Sequence, residues 1–184
     1  MVLETWEIDS THSGVHFSVR HLVIAKVRGQ FARWNGSVVA EDGDFSCAHV
    51  EVVIESASID TGLADRDAHL KAADFFDVVR YPRIVFKGKR IETPRGHFDG
   101  MRVGGDVTIR GVTRELVLDV YYSGRTKDPW GRDRAGFTAK ASIDRKDFGL
   151  TWNQPLEGGG VLVSDRVEIE IEAEIVKQMA SKAA

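Results

Sequence analysis

The chain has 184 residues, enough for one ordinary domain that closes a β-barrel around a real interior. Its formal net charge of -3 is spread over both signs, which excludes a strongly basic nucleic-acid face, and its 42% hydrophobic content excludes a disordered chain. Cys47 is the only cysteine, so neither an intramolecular disulfide nor a one-chain thiolate zinc cluster can form, and no run approaches the roughly 20 apolar residues of a membrane-spanning helix.

Met1 to Glu7 offers no basic n-region and no apolar h-region, so as written the chain carries no secretory signal and is expected in the cytoplasm. A trimmed mature form of a periplasmic protein would begin in the same way. Period-two alternation then dominates, the mark of strands with one face buried and one wet. A first strand is expected at about 4–9, followed by a polar turn holding Asp9, His12 and Ser13. In the next strand Val15, Phe17 and Val19 alternate with His16, Ser18 and Arg20, and His21 follows. Strands at about 27–40 and 46–57 flank the turn signal Glu41-Asp42-Gly43-Asp44; Cys47 reads as a small strand residue.

Between Thr61 and Ala73 the pattern changes. Leu63, Leu70 and Ala73 fall at helical spacing, with Thr61 as a capping residue, and Asp74-Phe75-Phe76-Asp77 follows. This predicts a short helical insert near 61–77, with an aromatic plug across one end of the barrel. Strands resume at about 82–92, at Val103 to Arg110 and at about 114–124, with turn signals at Phe98-Asp99-Gly100 and Arg110-Gly111-Val112-Thr113. An irregular loop from Gly124 to Gly136 carries Trp130, read either as a rim contact or as a packed anchor. Phe137, Ala139, Ala141 and Ile143 form the inward parity of the next strand, Gly158-Gly159-Gly160 is a flexible turn, and Trp152 either lines or plugs the interior. In the last strand Val167, Ile169, Ile171, Ala173 and Ile175 oppose Glu168, Glu170, Glu172 and Glu174, a separation only a strand produces. Residues 1–177 thus read as one all-β domain, an antiparallel barrel of about eight to ten strands, and 178–184 as a frayed tail. Small residues at inward parity (Gly105, Ala139, Ala141, Ala173) argue for space inside.

Several polar groups admit more than one reading. Asp9, His12 and Ser13 form either a turn knitting the barrel end, a ligand head-group site, or the centre of a hydrolase or metal-dependent enzyme. For metal, His12, His16 and His21 lie close in sequence, but no further ligand completes a tetrahedral set at familiar spacing. For a nucleophile, no Gly-x-Ser-x-Gly elbow exists. Arg20, His21 and Arg66 either meet a phosphate, quinone or carboxylate head group or belong to a solvated face.

The ordered series Trp6-Glu7-Ile8-Asp9-Ser10-Thr11-His12-Ser13, Leu70-Lys71-Ala72-Ala73-Asp74-Phe75-Phe76-Asp77, Tyr81-Pro82, Val103-Gly104-Gly105-Asp106-Val107, Trp130-Gly131 and Ile143-Asp144-Arg145-Lys146-Asp147-Phe148-Gly149-Leu150 resembles the YceI-like family of lipid-binding proteins over about residues 4–176. The resemblance implies a lipocalin-like barrel, often a homodimer, whose apolar tunnel is similar to those that hold a polyisoprenoid or another long-chain amphiphile. It implies a binding protein for carriage or storage, not an enzyme, with the bound lipid as ligand and no other cofactor. Many members of the family carry a secretion signal and work in the periplasm. On the inward parity, the tunnel is assigned to Phe17, Val19, Phe31, Phe86, Val107, Ile109, Leu116, Leu118, Phe137, Ala139, Ile143, Trp152, Val167 and Ile169. A polar end is assigned to Asp9, His12, Ser13, Arg20, His21, Arg66 and Trp130. No metal ligand is assigned.

Overall fold

The structure, a computed structural model, describes residues 2–22, 24–93 and 100–179. Eleven strands form one antiparallel sheet: β1 (Leu3–Ile8), β2 (Gly14–His21), β3 (Ala25–Phe31), β4 (Trp34–Glu41), β5 (Asp44–Glu55), β6 (Ile59–Asp60), β7 (Arg83–Glu92), β8 (Gly100–Ile109), β9 (Val112–Lys127), β10 (Asp133–Asp144) and β11 (Val163–Lys177). One helix, α1 (Ala64–Lys71), lies between β6 and β7. Eight strands close into a barrel in the order β1-β4-β5-β7-β8-β9-β10-β11, and β1 then meets β11 again.

Closure depends on a change of partner along β11. Its first part, Val163 to Glu172, pairs with β2; its last part, Ile175 to Lys177, pairs with β1. The β2–β3–β6 ribbon therefore fills the wall where β1 falls short. This explains why the expected strand at 27–40 is two strands. The chain breaks at Ala32-Arg33, where Ala32 donates to the Ser58 carbonyl and the Arg33 carbonyl accepts from Glu55, because β3 belongs to the ribbon and β4 to the barrel.

The expected loop from Gly124 to Gly136 is also shorter. Gly124 and Gly136 are cross-strand partners, and only residues 128–132 lie outside the strands. Asp128 sets that turn, accepting from the backbone N–H groups of Trp130 and Arg132. Leu63, not Thr61, occupies the N-cap of α1, and its side chain makes no capping bond. Thr61 is instead the partner of Asp67, whose carboxylate accepts from the Thr61 N–H (2.9 Å) and hydroxyl (2.5 Å). The turn at Arg110-Gly111 forms with both residues at positive φ, the geometry that suits a two-residue hairpin. The turn signal at Phe98-Asp99 and the tail beyond Met179 lie outside the described residues.

One end of the barrel is closed by Trp6, Val38, Ala40, Ala135 and Ile175, all buried. Phe45 packs edge-on against Trp6 (5.3 Å) and Phe137 (5.3 Å), and the Arg125 guanidinium lies 4.9 Å from the Trp6 ring. The β2–β3 turn, the segment carrying α1, the β8–β9 turn and the β10–β11 connection all emerge at the opposite end.

Candidate functional site

The inward-facing side chains do not meet at the centre. They surround a cavity of about 580 Å³, within the range of small-molecule sites. It runs the length of the barrel, from Phe45, Ala48 and Met101 near the closed end to Leu162 and Val163 at the other. All the residues placed on the tunnel by parity line it: Phe17, Val19 and Phe31 from the ribbon, Phe86 from β7, Val107 and Ile109 from β8, Leu116 and Leu118 from β9. Phe137, Ala139 and Ile143 from β10, Trp152 after it, and Val167 and Ile169 from β11 complete the set. Sequence parity missed Val50, Val52 and Ile54 of β5 and Ile91 of β7, which also line it. The register of β7 shifts between Gly88 and Arg90, so an unbroken alternation points Ile91 to the wrong face.

The four small inward residues play different parts. Ala139 and Ala173 line the cavity, and their missing side chains leave it open. Ala141, the cross-strand partner of Ile169, shares the inward face and packs against the core. Gly105 makes no space: a Cβ there would stand 2.3 Å from the Lys87 carbonyl oxygen and 2.8 Å from the Phe86 ring. It permits close approach of β7 and β8.

The open end is where polar groups enter the lining. Asp65 is exposed there, while Thr61, Arg66 and His69 are half-buried. The Arg66 guanidinium donates to the Thr61 hydroxyl (2.7 Å) and carbonyl (2.9 Å), which fixes it at the rim. The aromatic plug expected after the helix is in place. Phe75 is buried, His69 stands edge-on to Trp152 (4.7 Å), and Phe76 packs edge-on to Phe31 (6.1 Å). His21 lines the same end from β2, and His16 lines the cavity lower on that strand.

Arg145, a site residue that alternation does not single out, organises this end. Its side chain is 3% exposed, and it lines the cavity. It donates to the carbonyls of Leu150 (2.6 Å), Trp152 (2.8 Å) and Ser164 (3.0 Å) and pairs with Asp165 (3.2 Å). Arg145 thereby ties the irregular backbone after β10 to the start of β11. Burial pulls its guanidinium pKa down, while Asp165 and Asp144 oppose that shift. The signal in sequence is a basic residue, in Asp144-Arg145-Lys146-Asp147, directly after a strand that points into the core.

The remaining polar candidates do not reach the cavity. Asp9, His12 and Ser13 sit on the outer wall, where the β1–β2 turn crosses β11. His12 Nδ1 lies 3.0 Å from Asp9, and the Ser13 hydroxyl is engaged by the backbone of Glu174. Asp9, His12 and Glu174 bring three donor atoms within 4.8 Å of one another. The cation already between the carboxylates is Arg134, which bonds Asp9 (2.8 Å), Glu174 and Asp128 (3.1 Å). Arg134, and next His12, hold the Asp9 carboxyl well below the usual carboxylate range. This is the knitting turn, with its fourth and fifth members supplied by distant strands that no local motif reveals. His16 and His21 do not join it. Arg20 is exposed on the outer face of β2. Trp130, 78% exposed at the closed end, is neither a packed anchor nor at the open rim. Cys47 is exposed on β5.

Among the described residues no helix is long and apolar enough to cross a membrane. Structural neighbours share the fold. BcnA of Burkholderia cenocepacia superposes with a TM-score of 0.78 at 20% identity, covering 91% of this chain and 98% of that one. The YCEI protein of Campylobacter jejuni gives 0.74 at 28% identity, covering 87% and 90%. A domain from Saccharophagus degradans, described as a polyisoprenoid binding domain implicated in plant cell wall breakdown, gives 0.62 at 15% identity, covering 94% and 98%. In sequence, the UPF0312 protein SA2479 of Staphylococcus aureus is 34% identical over 173 residues, 94% of this chain and 97% of that protein. The YceI-like domain model matches residues 6–175, and the chain belongs to the YceI-like family.

Proposed function

We propose that this protein binds a long-chain isoprenoid or similar amphiphile (a quinone, a polyprenyl chain or a fatty amphiphile) in the barrel tunnel, for carriage or storage. The observation that carries the reading is the apolar cavity of about 580 Å³ that runs the barrel's length and meets polar groups only toward one rim and at His16. A tail lies among Phe86, Val107, Leu118 and Ala139, and a head group stays at the rim beside Arg66, His21 and His69. The binding described for the Saccharophagus domain, on the same fold, supports the choice of ligand class.

Magnitudes suit an exchangeable ligand. Burying hydrocarbon gains roughly 0.8 kcal/mol per CH₂ against water, so a five-carbon isoprene unit gains about 3–4 kcal/mol gross. A bilayer gives the tail the same environment, so transfer from membrane to tunnel is nearly balanced, and the head group decides selectivity. The geometry does not favour hydrolysis or metal chemistry at Asp9, His12 and Ser13. The Ser13 hydroxyl is committed to the Glu174 backbone and the carboxylates to Arg134.

A fluorescent fatty-acid probe tests the reading. Emission is expected to rise on mixing with the purified protein and to fall when an isoprenoid quinone is titrated in. A probe that stays dark, or one that no long-chain amphiphile displaces, overturns it. Light scattering tests the homodimer in the same sample.

A further inference from the structure

The β2–β3 turn projects from the open end of the barrel, and it is built unlike an ordinary hairpin tip. Turn positions at positive φ favour Gly, Asn and Asp, which tolerate that conformation. Here Leu22 holds φ at 54°, a conformation uncommon for a bulky residue, and its side chain is 38% exposed. Ile24 is 85% exposed. Leu22 donates to the carbonyl of Leu162, a cavity-lining residue, which brings it beside Val161, 43% exposed. An apolar tip of this kind has no role in the barrel's own core.

Directly behind the tip the outer face is basic. Arg20 and Lys26 are cross-strand partners, and Arg28 is the partner of Ser18. All three cations are exposed, and none makes a side-chain ion pair among the described residues. The neighbouring carboxylates are already engaged, Glu168 by Arg166 (2.6 Å) and Glu170 by Lys140 (3.4 Å). Like charges placed directly opposite one another weaken a strand pair, so the ribbon keeps Arg20 and Lys26 together at a cost that an anionic partner would offset.

We propose that this ribbon is a membrane-docking element. Leu22, Ile24 and Val161 enter the acyl boundary of an anionic bilayer, while Arg20, Lys26 and Arg28 lie at the level of the lipid phosphates. Apolar residues ahead of a basic collar are what an interfacial anchor requires. Docking in this pose turns the rim lined by His21, Thr61 and Arg66 toward the lipid, so that a tail can pass between bilayer and tunnel with little exposure to water. The use made of docking rests on the tunnel holding a lipid; the docking itself does not.

Flotation with vesicles of phosphatidylglycerol and phosphatidylcholine in equal parts, against pure phosphatidylcholine, tests the proposal on the full chain. Co-flotation is expected on the anionic vesicles, weakened by salt, and about tenfold less on the neutral ones. Ile24→Asp, and separately Lys26→Glu with Arg28→Glu, are each expected to lower it about tenfold or more. None of these positions lines the cavity, so binding of the fluorescent fatty probe in solution stays unchanged. An Ile24→Trp variant adds a gain of signal: its emission shifts to the blue on anionic vesicles beyond any change in the parent protein. No flotation at low salt, flotation of Ile24→Asp equal to the parent, or no blue shift overturns the proposal. Flotation without probe binding would remove the tunnel reading and leave the docking intact, whereas probe binding without flotation would do the reverse.

Discussion

Two arginines at opposite ends of β10 hold the molecule's irregular parts in place. Arg145 is buried and gives its guanidinium to carbonyls of the β10–β11 connection. Replacing it by Met keeps the bulk but takes the guanidinium from those carbonyls and leaves Asp165 to Lys146 alone (2.8 Å), so Arg145→Met is expected to cost about 3–5 kcal/mol in a urea titration, as for a broken buried pair. Arg134 works through charge on the outer wall, bonding Asp9, Asp128 and Glu174. Burial works to raise the pKa of Asp128, yet hydrogen bonds from the Arg132 backbone and the Arg134 side chain bring it down to about 2. Both Asp9 and Asp128 have folded values below their unfolded ones. The stability they contribute is therefore complete above about pH 4, the ordinary carboxylate value, and is lost as pH falls toward their folded values. Arg134→Met is expected to unfold at lower urea at neutral pH and to lose less additional stability between about pH 4 and pH 2. A parallel decline of variant and parent through that window would show that Arg134 does not set these pKa values. The partners of neither are legible in sequence, because Arg134 meets Asp9 across 125 positions and Arg145 meets Ser164 across 19.

Strands were readable wherever one face is wet and the register is unbroken. β11 is the plainest case, its glutamates outside and its Val, Ile and Ala residues inside, and β2, β8 and β10 follow it. Reading failed where the chain changes partner without a turn signal, as at Ala32-Arg33, and where a bulge reverses parity, as at Gly88 in β7. The helix was legible, but its attachment was not: α1 has no fully buried residue, and it is held by the bonds of Arg66 and Asp67 to Thr61, by half-buried Leu70 against the core and by His69 against Trp152. Asp67→Ala removes both bonds to Thr61 and loosens the partner of Arg66. Its amides are expected to exchange faster than those of β8 to β10 in the parent and faster still in this variant. Release of a bound fatty probe should quicken, with the thermal midpoint nearly unchanged. Unaltered release kinetics would mean that α1 does not govern the rim.

At the scale of the whole molecule, the tunnel assignment came from parity and the hollow interior from geometry. Parity names which side chains face inward, but it does not say whether they meet. Ala139 and Ala173 leave space and Gly105 does not, although all three read alike in sequence. The open end was the least legible part, since Thr61 and His69 of the helical segment, His21 of β2 and Arg145 after β10 all line the cavity there. Trp130, by contrast, was drawn to the rim by its loop and stands at the other end. Ala139→Phe puts a ring in the middle of the tunnel and is expected to shorten the longest chain retained, with the fold kept. The most direct measurement is mass spectrometry of an organic extract from the purified protein, run beside the Ala139→Phe variant. Near-stoichiometric recovery of a long-chain isoprenoid or similar amphiphile is expected from the parent, with less lipid or shorter chains from the variant. An extract free of such lipid, or one that the tunnel-filling substitution leaves unchanged, would contradict a lipid-holding barrel.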